Sequence, residues 1–492
     1  MFLCSSVLLL FVFTTFNVVY AKNVLLIVSD DGGFESQVYG NPVCKTPHLN
    51  ELASKSTIFQ NAYTSVSSCS PSRSTILSGL PQHQNGMYGL HQGVHHFNSF
   101  DQVRSLPALL KQENIHTGII GKKHVGPENV YPFDFAYTEE TNSINQVGRN
   151  ITRIKELVRN KPFFLYVAFH DPHRCGHTNP EYGEFCEKFG NGEEGMGLIP
   201  DWKPVHYKPE DVVVPYFIQD TPIARKDIAA QYTTLSRLDQ GIGLVLQELK
   251  NFKHENDTLV IYTSDNGIPF PSGRTNLYDP GMAEPFLLHI PQQTESKVSN
   301  TLVSLLDIVP TILDWFIIDY PDYDLNGSPV MLTGNSLFRA SESFRNVFGS
   351  HNLHEATMYY PMRVVRNPYF KLIHNLNFKM PFPIDQDFFI SPTFQDLLNR
   401  TVGKLDTHWY KNLTNYYYRP EWELYYLKKD PKELKNVAND VLFSGDLAEH
   451  KYYLRNWQLN TNDPWICSPS GVLENTGRFK DDPQCLSLHN GL

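Results

Sequence analysis

Four short apolar runs are the feature of this chain that most constrains its fold. They occupy residues 24–28, 117–120, 163–169 and 259–263. The runs are almost continuously apolar rather than alternating, which is typical of parallel strands that are buried on both faces. Helical patterns lie between them, at residues 46–55, 106–112 and 223–251. Strands that alternate with helices predict an α/β fold, with a large, mixed but mostly parallel sheet sandwiched by helices.

The character of the chain changes near residue 370. Residues 375–418 are rich in aromatic residues, prolines and amides and show no strand–helix alternation. An apolar stretch at 422–427 follows, and then a turn at Asp430-Pro431 and a short predicted helix from Lys432. A chain of 492 residues is long enough for two domains. We therefore predict a large domain at 22–370 and a smaller α+β domain with an antiparallel sheet at 371–492.

The first 21 residues are predicted to be a secretory signal peptide. Residues 7–13 form an apolar segment, and Val19-Tyr20-Ala21 offers small residues at the cleavage positions. A signal anchor is the alternative, although the apolar segment is short and polar residues interrupt it. No later apolar run reaches about 18 residues, so we expect no membrane association after cleavage. The net charge of −10 argues against a nucleic-acid partner.

Polar side chains follow each of the four apolar runs. They are Ser29 to Gly33, Gly121 to Val125, His170 to Arg174 and Ser264 to Gly267. Any one of these segments could be an ordinary turn. The carboxyl ends of parallel strands, however, meet at one edge of a sheet, where ligands bind in open α/β folds. Carboxylate and amide oxygens suit a hard divalent cation, calcium or alternatively magnesium, and they predict a metal site made of Asp30, Asp31, Asp265 and Asn266.

A Cys-x-Pro-x-Arg pentapeptide spans residues 69–73 and leads into a predicted helical segment at 74–78. Taken alone, it could equally be a buried cysteine before a proline turn. Together with several longer stretches, it resembles the sulfatase family of the alkaline-phosphatase-like superfamily. The resembling stretches are 64–73, 82–100, 121–128, 169–176, 263–277 and 375–387. The resemblance covers nearly the whole mature chain.

The resemblance implies an unusual nucleophile. In sulfatases the cysteine at the position of Cys69 is oxidised to formylglycine by a formylglycine-generating enzyme of the secretory pathway. The aldehyde hydrate attacks sulfur and forms a covalent sulfo-enzyme, which splits one difficult step into two easier ones. A single hydroxyl or thiol would remain as a stable ester, whereas the second hydroxyl of the hydrate lets the aldehyde re-form and expel sulfate.

The resemblance also implies roles for the residues around Cys69. Residue 69 would join the four predicted metal ligands in holding one Ca²⁺ per chain. Arg73 would steady the formylglycine, and Lys122 would bind sulfate, with Lys123 as the weaker candidate. His124 would take a proton from the diol, and His173 would bind sulfate and protonate the leaving group. Arg274 stands where many relatives have lysine, which keeps the charge but changes the donor geometry.

Further residues are predicted to support or extend this site. Asp171 and Glu355 are candidates for recognising sugar hydroxyls or amines. His91, His95 and His96 are interpreted as packed or hydrogen-bonded residues near the pocket rather than as catalytic groups.

The closest resemblance is to family members that act on heparan sulfate. It implies hydrolysis of the sulfamate N–S bond of terminal N-sulfo-D-glucosamine in heparan sulfate oligosaccharides, in the lysosome, by a homodimer. An O-sulfatase on a related glycosaminoglycan and a non-catalytic binder of sulfated glycans are the alternatives. A phosphatase or phosphodiesterase of the superfamily is disfavoured, because those enzymes use unmodified Ser or Thr. A secreted protein would carry the same signal peptide.

The remaining cysteines and the glycosylation sequons fit an oxidising compartment. Cys175 with Cys186, and Cys467 with Cys485, are predicted to form local disulfides, although spacing alone does not fix connectivity. Cys44 is left over. Asn-x-Ser/Thr sequons predict glycosylation at Asn150, Asn256, Asn326, Asn399 and Asn412.

Overall fold

The computed structural model describes residues 22–138, 162–175, 182–339, 345–480 and 482–488. The predicted signal peptide at 1–21 and the sequon at Asn150 lie outside these ranges. In the described part of the chain, no helix has the length and apolar character needed to span a membrane.

An eight-stranded sheet forms the centre of the molecule. Its strands are β1 (Asn23–Ser29), β2 (Thr57–Tyr63), β3 (His116–Gly121), β4 (Phe135–Thr138), β5 (Phe163–Ala168), β6 (Thr258–Ser264), β7 (Ala283–His289) and β8 (Lys297–Ser304). Their order is β4-β3-β5-β1-β6-β7-β2-β8. Only β7 runs antiparallel to its neighbours, β6 and β2. The four predicted strands are β1, β3, β5 and β6, and they are parallel and contiguous in the middle of the sheet.

Helices cover both faces of this sheet. They are α1 (Pro47–Ala53), α2 (Cys69–Ser78), α3 (Gln82–Asn85), α4 (Leu106–Gln112), α5 (Pro222–Asn251), α6 (Asp279–Met282) and α7 (Ile308–Phe316). Alternate residues of β1 enter two different cores: Leu26 packs in the core with α2, α4 and α7, and Leu25 packs in the core with α1 and α5. Burial on both faces explains the continuous apolar runs and confirms the predicted α/β class.

A second, antiparallel sheet lies in the C-terminal part of the chain. Its strands, in spatial order, are β11 (Val347–His351), β12 (Met362–Arg366), β13 (Phe370–Asn375) and β14 (Trp422–Tyr426). Two short hairpins pair β9 (Asp324–Leu325) with β10 (Ser328–Pro329), and β15 (Gly471–Glu474) with β16 (Gln484–Ser487). The helices here are α8 (Gln386–Phe389), α9 (Pro392–Val402), α10 (Leu413–Tyr417) and α11 (Ser444–Asn460).

The second sheet begins earlier in the chain than the change in composition. Both β11 and β12 precede residue 370, so the sheet starts at Val347, while the division of the chain into two domains stays a prediction. The short helix predicted from Lys432 is wrong. The Asp430 carboxylate there accepts hydrogen bonds from the backbone N–H groups of Leu434 and Lys435, which stabilises a turn. The 17-residue helix α11 begins only at Ser444.

Both predicted disulfides are present, Cys175 with Cys186 and Cys467 with Cys485. Cys44 is a free cysteine that is buried in the core beneath α5. The sequons at Asn256, Asn326, Asn399 and Asn412 are exposed.

Candidate active site

The candidate nucleophile, Cys69, is the first residue of helix α2 and is almost fully buried. The predicted helical segment at 74–78 is therefore the second half of a longer helix. All ten residues of α2 are buried although many are polar. Their hydroxyls donate to carbonyls of the preceding turn, as Ser74 does to Pro71 and Ser78 does to Ser74. Such local bonds allow a hydroxyl-rich helix to be buried. The N-terminus of a helix also favours negative charge at residue 69.

The ends of two adjacent strands face Cys69. Asp30 and Asp31 follow β1, and Asp265 and Asn266 follow its neighbour β6. The backbone N–H of Asp31 donates to Asp265 Oδ1 over 3.1 Å, and the Asn266 amide donates to Asp31 Oδ1 over 2.7 Å. One ligand atom from each of Asp30, Cys69 and Asp265 lies within 4.8 Å of the others. The structure therefore brings together the whole predicted set of metal ligands.

Two buried cations, Arg73 and Lys122, form ion pairs with the carboxylates of Asp30 and Asp265. The Arg73 guanidinium donates to Asp265 over 2.9 Å and to Asp30 over 3.1 Å. A third Arg73 bond, of 2.9 Å, reaches the Lys122 carbonyl. The Lys122 ammonium donates to both oxygens of Asp30, at 2.9 and 2.7 Å. Because all these groups are buried, the ion pairs are little screened by solvent, and they fix the orientation of Asp30 and Asp265.

A third cation, Arg274, joins the metal ligands to the second half of the chain. Its Nη1 donates to Asp31 over 2.6 Å and to Nε2 of His173 over 3.0 Å. Its Nη2 donates to Asp385 and Asp387, just before and within α8. Nδ1 of His173 lies 2.6 Å from the carbonyl oxygen of Arg174, which can only accept, so Nδ1 donates there and Nε2 faces the site. About a fifth of the His173 side chain is exposed, which leaves it accessible to substrate.

The site has more negative than positive charge. Five carboxylates, those of Asp30, Asp31, Asp265, Asp385 and Asp387, face three permanently charged cations among the described residues, those of Arg73, Lys122 and Arg274. Burial and the nearby Asp30 and Asp31 raise the pKa of Asp265. Burial and the nearby Asp387 likewise raise the pKa of Asp385. A divalent cation would balance this excess of carboxylates.

A second observation points to the same ion. The Oδ1 atom of Asn266 is buried and accepts no hydrogen bond from the described residues. A buried acceptor without a donor is destabilising by about 1–3 kcal/mol, and a metal ion would satisfy it. Oxygen ligands of this kind suit calcium or magnesium. The residues present therefore fit a hard divalent cation.

His124 lies beside this cluster with an unused nitrogen. It follows β3 in a left-handed backbone conformation, with φ of 56°, which is uncommon outside glycine. Its Nδ1 is buried and is bonded to no described group. Burial and the cations of Lys122 and Arg73 lower the pKa of His124. The ring is therefore neutral and has a nitrogen that can accept a proton.

Comparison with known proteins gives the family. The family model described as "Sulfatase" matches residues 22–318. Human N-sulphoglucosamine sulphohydrolase is 63% identical over 484 residues, which cover 96% of this chain and 96% of that protein. The chain belongs to the sulfatase family. A sulfatase from Formosa agariphila, described as ulvan-active, is 25% identical over 511 residues and matches 95% of this chain and 81% of its own length.

A solved structure agrees with the fold of this sulfatase. A 2-O glycosaminoglycan sulfatase superimposes with a TM-score of 0.63 and 21% identity, over 90% of this chain and 93% of that chain. At this identity the likeness supports the fold alone. Sulfatases generally use a formylglycine and a metal ion, and the chain places a cysteine and a set of oxygen ligands at one edge of the sheet to match.

Two of the predicted residues of this sulfatase lie in other contacts. Both oxygens of Asp171 are bound by Arg237, at 2.8 and 2.5 Å, and the Asp171 carbonyl accepts from the backbone of Asp30. These bonds give Asp171 a supporting contact, and its contact with sugar stays a prediction. The Lys123 ammonium pairs with Glu128 rather than with the metal ligands, unlike Lys122.

The other secondary candidates lie around the mouth of the site. Glu355 accepts a hydrogen bond from the backbone of Gln386 at 3.2 Å, next to the Asp385–Asp387 pair, and its contact with sugar stays a prediction. His91 Nδ1 lies 2.9 Å from the Phe97 carbonyl, and His95 Nδ1 accepts from the backbone of Ala356. Both contacts agree with supporting roles for these two histidines.

Sequence reasoning missed three residues of the site, Asp385, Asp387 and His354. Asp385 and Asp387 bind Arg274, and His354 bonds with Ser68, the residue before the candidate nucleophile. None of the three follows a strand of the central sheet. Asp387 does end one of the stretches that resemble sulfatases, which was the available signal.

Proposed function

We propose that this sulfatase hydrolyses the N-linked sulfate of terminal N-sulfo-D-glucosamine during the degradation of heparan sulfate and heparin. The observation that carries the proposal is the 63% identity to human N-sulphoglucosamine sulphohydrolase over 96% of both chains. The geometry supports it, because a candidate nucleophile, a metal-ligand set and three buried cations meet at the carboxyl edge of the sheet.

Residue 69 would act after conversion of Cys69 to formylglycine by a formylglycine-generating enzyme. The hydrate supplies one hydroxyl to attack sulfur and a second to expel sulfate from the covalent sulfo-enzyme. The position at the start of α2 supports this role, because the helix N-terminus stabilises negative charge on the attacking oxygen.

Asp30, Asp31, Asp265, Asn266 and residue 69 would hold one divalent cation, which we propose to be Ca²⁺. When bound, the ion supplies Lewis-acid polarisation of the sulfuryl group. The rest of the positive field comes from the chain itself. Arg73, Lys122 and Arg274 are preorganised by their ion pairs and do not need to reorganise as charge builds on the sulfuryl oxygens.

Two histidines can move the protons. Nε2 of His173 faces the site, so a proton carried on that atom would be donated to the leaving amine. The unbonded Nδ1 of His124 would accept a proton from the hydroxyl of residue 69 as sulfate is expelled. An acidic compartment supports the first step, because the leaving amine must receive a proton.

The test is sulfate release at acidic pH from a disaccharide with terminal N-sulfoglucosamine. A 6-O-sulfated, N-acetylated disaccharide serves as the competing substrate. The variant Cys69→Ala removes the proposed nucleophile. Cys44→Ala is the matched control, because Cys44 is the other buried free cysteine among the described residues and lies in the core. Mass spectrometry of the peptide that contains residue 69 reports conversion to formylglycine.

We expect release from the N-sulfo substrate alone, retained in Cys44→Ala and abolished in Cys69→Ala. Release from the O-sulfo substrate alone would overturn the N-sulfo assignment in favour of an O-sulfatase. Release from neither substrate by fully converted enzyme would overturn both and favour a binder of sulfated glycans or another sulfated substrate.

We further propose that the protein is a glycosylated lysosomal homodimer. The predicted signal peptide and the exposed sequons at Asn256, Asn326, Asn399 and Asn412 support passage through the secretory pathway. Sedimentation of the protein from culture medium, before and after glycosidase treatment, measures both the assembly state and the glycan mass.

A further inference from the structure

The two serines beside Cys69 are both bound by groups from outside α2. The Ser68 hydroxyl lies 2.8 Å from Nδ1 of His354, and the Ser70 hydroxyl accepts from the backbone N–H of His91 at 2.9 Å. A serine at the N-cap position usually accepts a hydrogen bond from the first turn of its own helix. Ser68 is the N-cap residue of α2 but makes no such bond. Its hydroxyl instead holds α2 to the second half of the chain.

The His354 ring is itself fixed in position. His354 is only 4% exposed and lies in the loop after β11. Its carbonyl accepts from the backbone of Leu90 over 2.9 Å, and the preceding Leu353 N–H donates to the Tyr88 carbonyl over 3.1 Å. The loop is thus attached to the segment that follows α3, so the backbone of His354 cannot shift without breaking these bonds, and burial leaves the ring little room to rotate.

We propose that His354 is a positioning residue for the nucleophile, acting through the Ser68 hydroxyl on the first turn of α2. The proposal rests on the proposed use of residue 69 as the nucleophile. Residue 69 lies within 4.8 Å of Asp30 and Asp265, so a small rotation of the first turn of α2 would move the attacking oxygen away from the metal ligands. Misplacement of a reacting group by about 1 Å can lower a rate about 100-fold.

The chemistry of the bond identifies the nitrogen that matters. In asparagine the side-chain amide occupies nearly the place of histidine Nδ1, whereas in glutamine it reaches the place of Nε2. His354→Asn should therefore keep the bond to Ser68, and His354→Gln should lose it. Ser68→Ala removes the same bond from the other side without removing a helix cap. Ser67→Ala is the matched control, because the Ser67 hydroxyl is buried in the same loop and bonds to no described group.

The experiment measures kcat and KM for sulfate release from terminal N-sulfoglucosamine by these four variants. Mass spectrometry gives the fraction of residue 69 converted to formylglycine, and kcat is expressed per converted enzyme. We expect His354→Gln and Ser68→Ala to lower kcat by about 10- to 100-fold with KM changed by less than about threefold, because substrate binding is intact. His354→Asn and Ser67→Ala should stay within about threefold of wild type in both constants.

The outcomes separate positioning from other roles. Retained kcat in His354→Gln together with loss in His354→Asn would overturn the proposal, because the ring would then act through Nε2 on the substrate. An equal loss in Ser67→Ala and Ser68→Ala would also overturn it, since any change in the loop would then suffice. The double variant Ser68→Ala/His354→Gln should be no slower than the slower single variant, because both changes remove one bond.

Failure of the proposed function would be visible separately. If fully converted wild-type enzyme releases no sulfate, the substrate assignment fails. The Ser68–His354 bond is then tested by the melting temperatures of wild type, Ser68→Ala, His354→Gln and the double variant. The double variant should unfold at the temperature of the less stable single variant. Fully additive shifts would show that the two side chains are not coupled and would overturn the positioning role.

Discussion

Glu35 offers a prediction in which pH acts on stability through one buried carboxyl group. It lies six residues after the end of β1, on the wall of a cavity of about 400 Å³ lined mainly by aromatic and aliphatic side chains. Only 7% of the residue is exposed, and its Oε2 accepts one bond of 3.1 Å, from the backbone of Gly33. Burial raises the pKa of Glu35 to about 7, from an ordinary value of 4.5.

The direction of the effect follows from proton binding. Between pH 4.5 and about 7 the folded protein keeps the Glu35 proton, whereas the unfolded chain has lost it. The free energy of unfolding therefore falls as the pH rises through this window, and the full loss is reached above the folded pKa. The gap between the two pKa values corresponds to about 3 kcal/mol, which is a large part of a typical total of about 5–15 kcal/mol.

Glu35→Gln keeps the shape of the side chain and removes its titration. Urea unfolding at pH 4.5 and pH 8 gives the free energy of unfolding of the variant and of wild type. The free energy of unfolding of the variant minus that of wild type should be about 3 kcal/mol more positive at pH 8 than at pH 4.5, because only wild type loses stability as Glu35 titrates. The glutamine amide does not titrate, so any effect of its burial on the free energy of unfolding is the same at both pH values and cancels in this comparison. Glu51→Gln on α1 is the control, since Glu51 is exposed and its replacement should change stability by less than about 0.5 kcal/mol. A difference below about 0.5 kcal/mol for Glu35→Gln would refute the argument that burial controls this group.

Three further changes test the site and its support. Asp463→Asn should lower the free energy of unfolding, measured by urea unfolding, by about 3–5 kcal/mol, because it leaves the fully buried Arg363 without its carboxylate. A loss below about 1 kcal/mol would contradict this. Lys122→Met should lower kcat/KM at least about 100-fold in the sulfate-release assay, because the ammonium holds Asp30. Lys123→Met should stay within about threefold of wild type, because Lys123 pairs with Glu128. Similar losses in both variants would refute the assignment of Lys122 rather than Lys123 to the site. Removal of divalent ions with a chelator should lower the melting temperature. Addition of Ca²⁺ at 100 times its Kd should then restore about 2.7 kcal/mol of stability. An unchanged melting temperature would argue against the metal site.

The central sheet and the predicted metal ligands could be read from the sequence because each rests on a local pattern. A strand buried on both faces must be continuously apolar, as in β1 and β6. The residues after such strands reach one edge of the sheet because the strands are parallel, which brings Asp30 and Asp265 together. The Cys-x-Pro-x-Arg pentapeptide is likewise contiguous, so its cysteine and arginine could be recognised without knowledge of the fold.

The second half of the site could not be found in this way. Asp387 reaches Arg274 across more than a hundred residues of chain, and His354 reaches Ser68 across 286. Neither residue follows a strand of the central sheet, because α8 is a single short turn and the loop after β11 follows a strand of a different sheet. Only the likeness of residues 375–387 to sulfatases pointed to Asp387. Asp171 follows β5 and was predicted from that position, but its pairing with Arg237, 66 residues away, could not be read from the sequence.

The sequence by itself determined the α/β class and the parallel centre of the sheet, and it predicted the candidate nucleophile and the candidate oxygen ligands. Each depends on residues that are adjacent in the chain or on neighbouring parallel strands. The tertiary structure alone decided which cations and carboxylates pair, that Ser68 bonds with His354, and which partners Asp171 and Lys123 have. The physical reason is that hydrogen bonds and ion pairs act over about 3 Å. Which distant side chains come within that range is settled only when the second sheet packs against α3 and against β8, the edge strand of the first sheet.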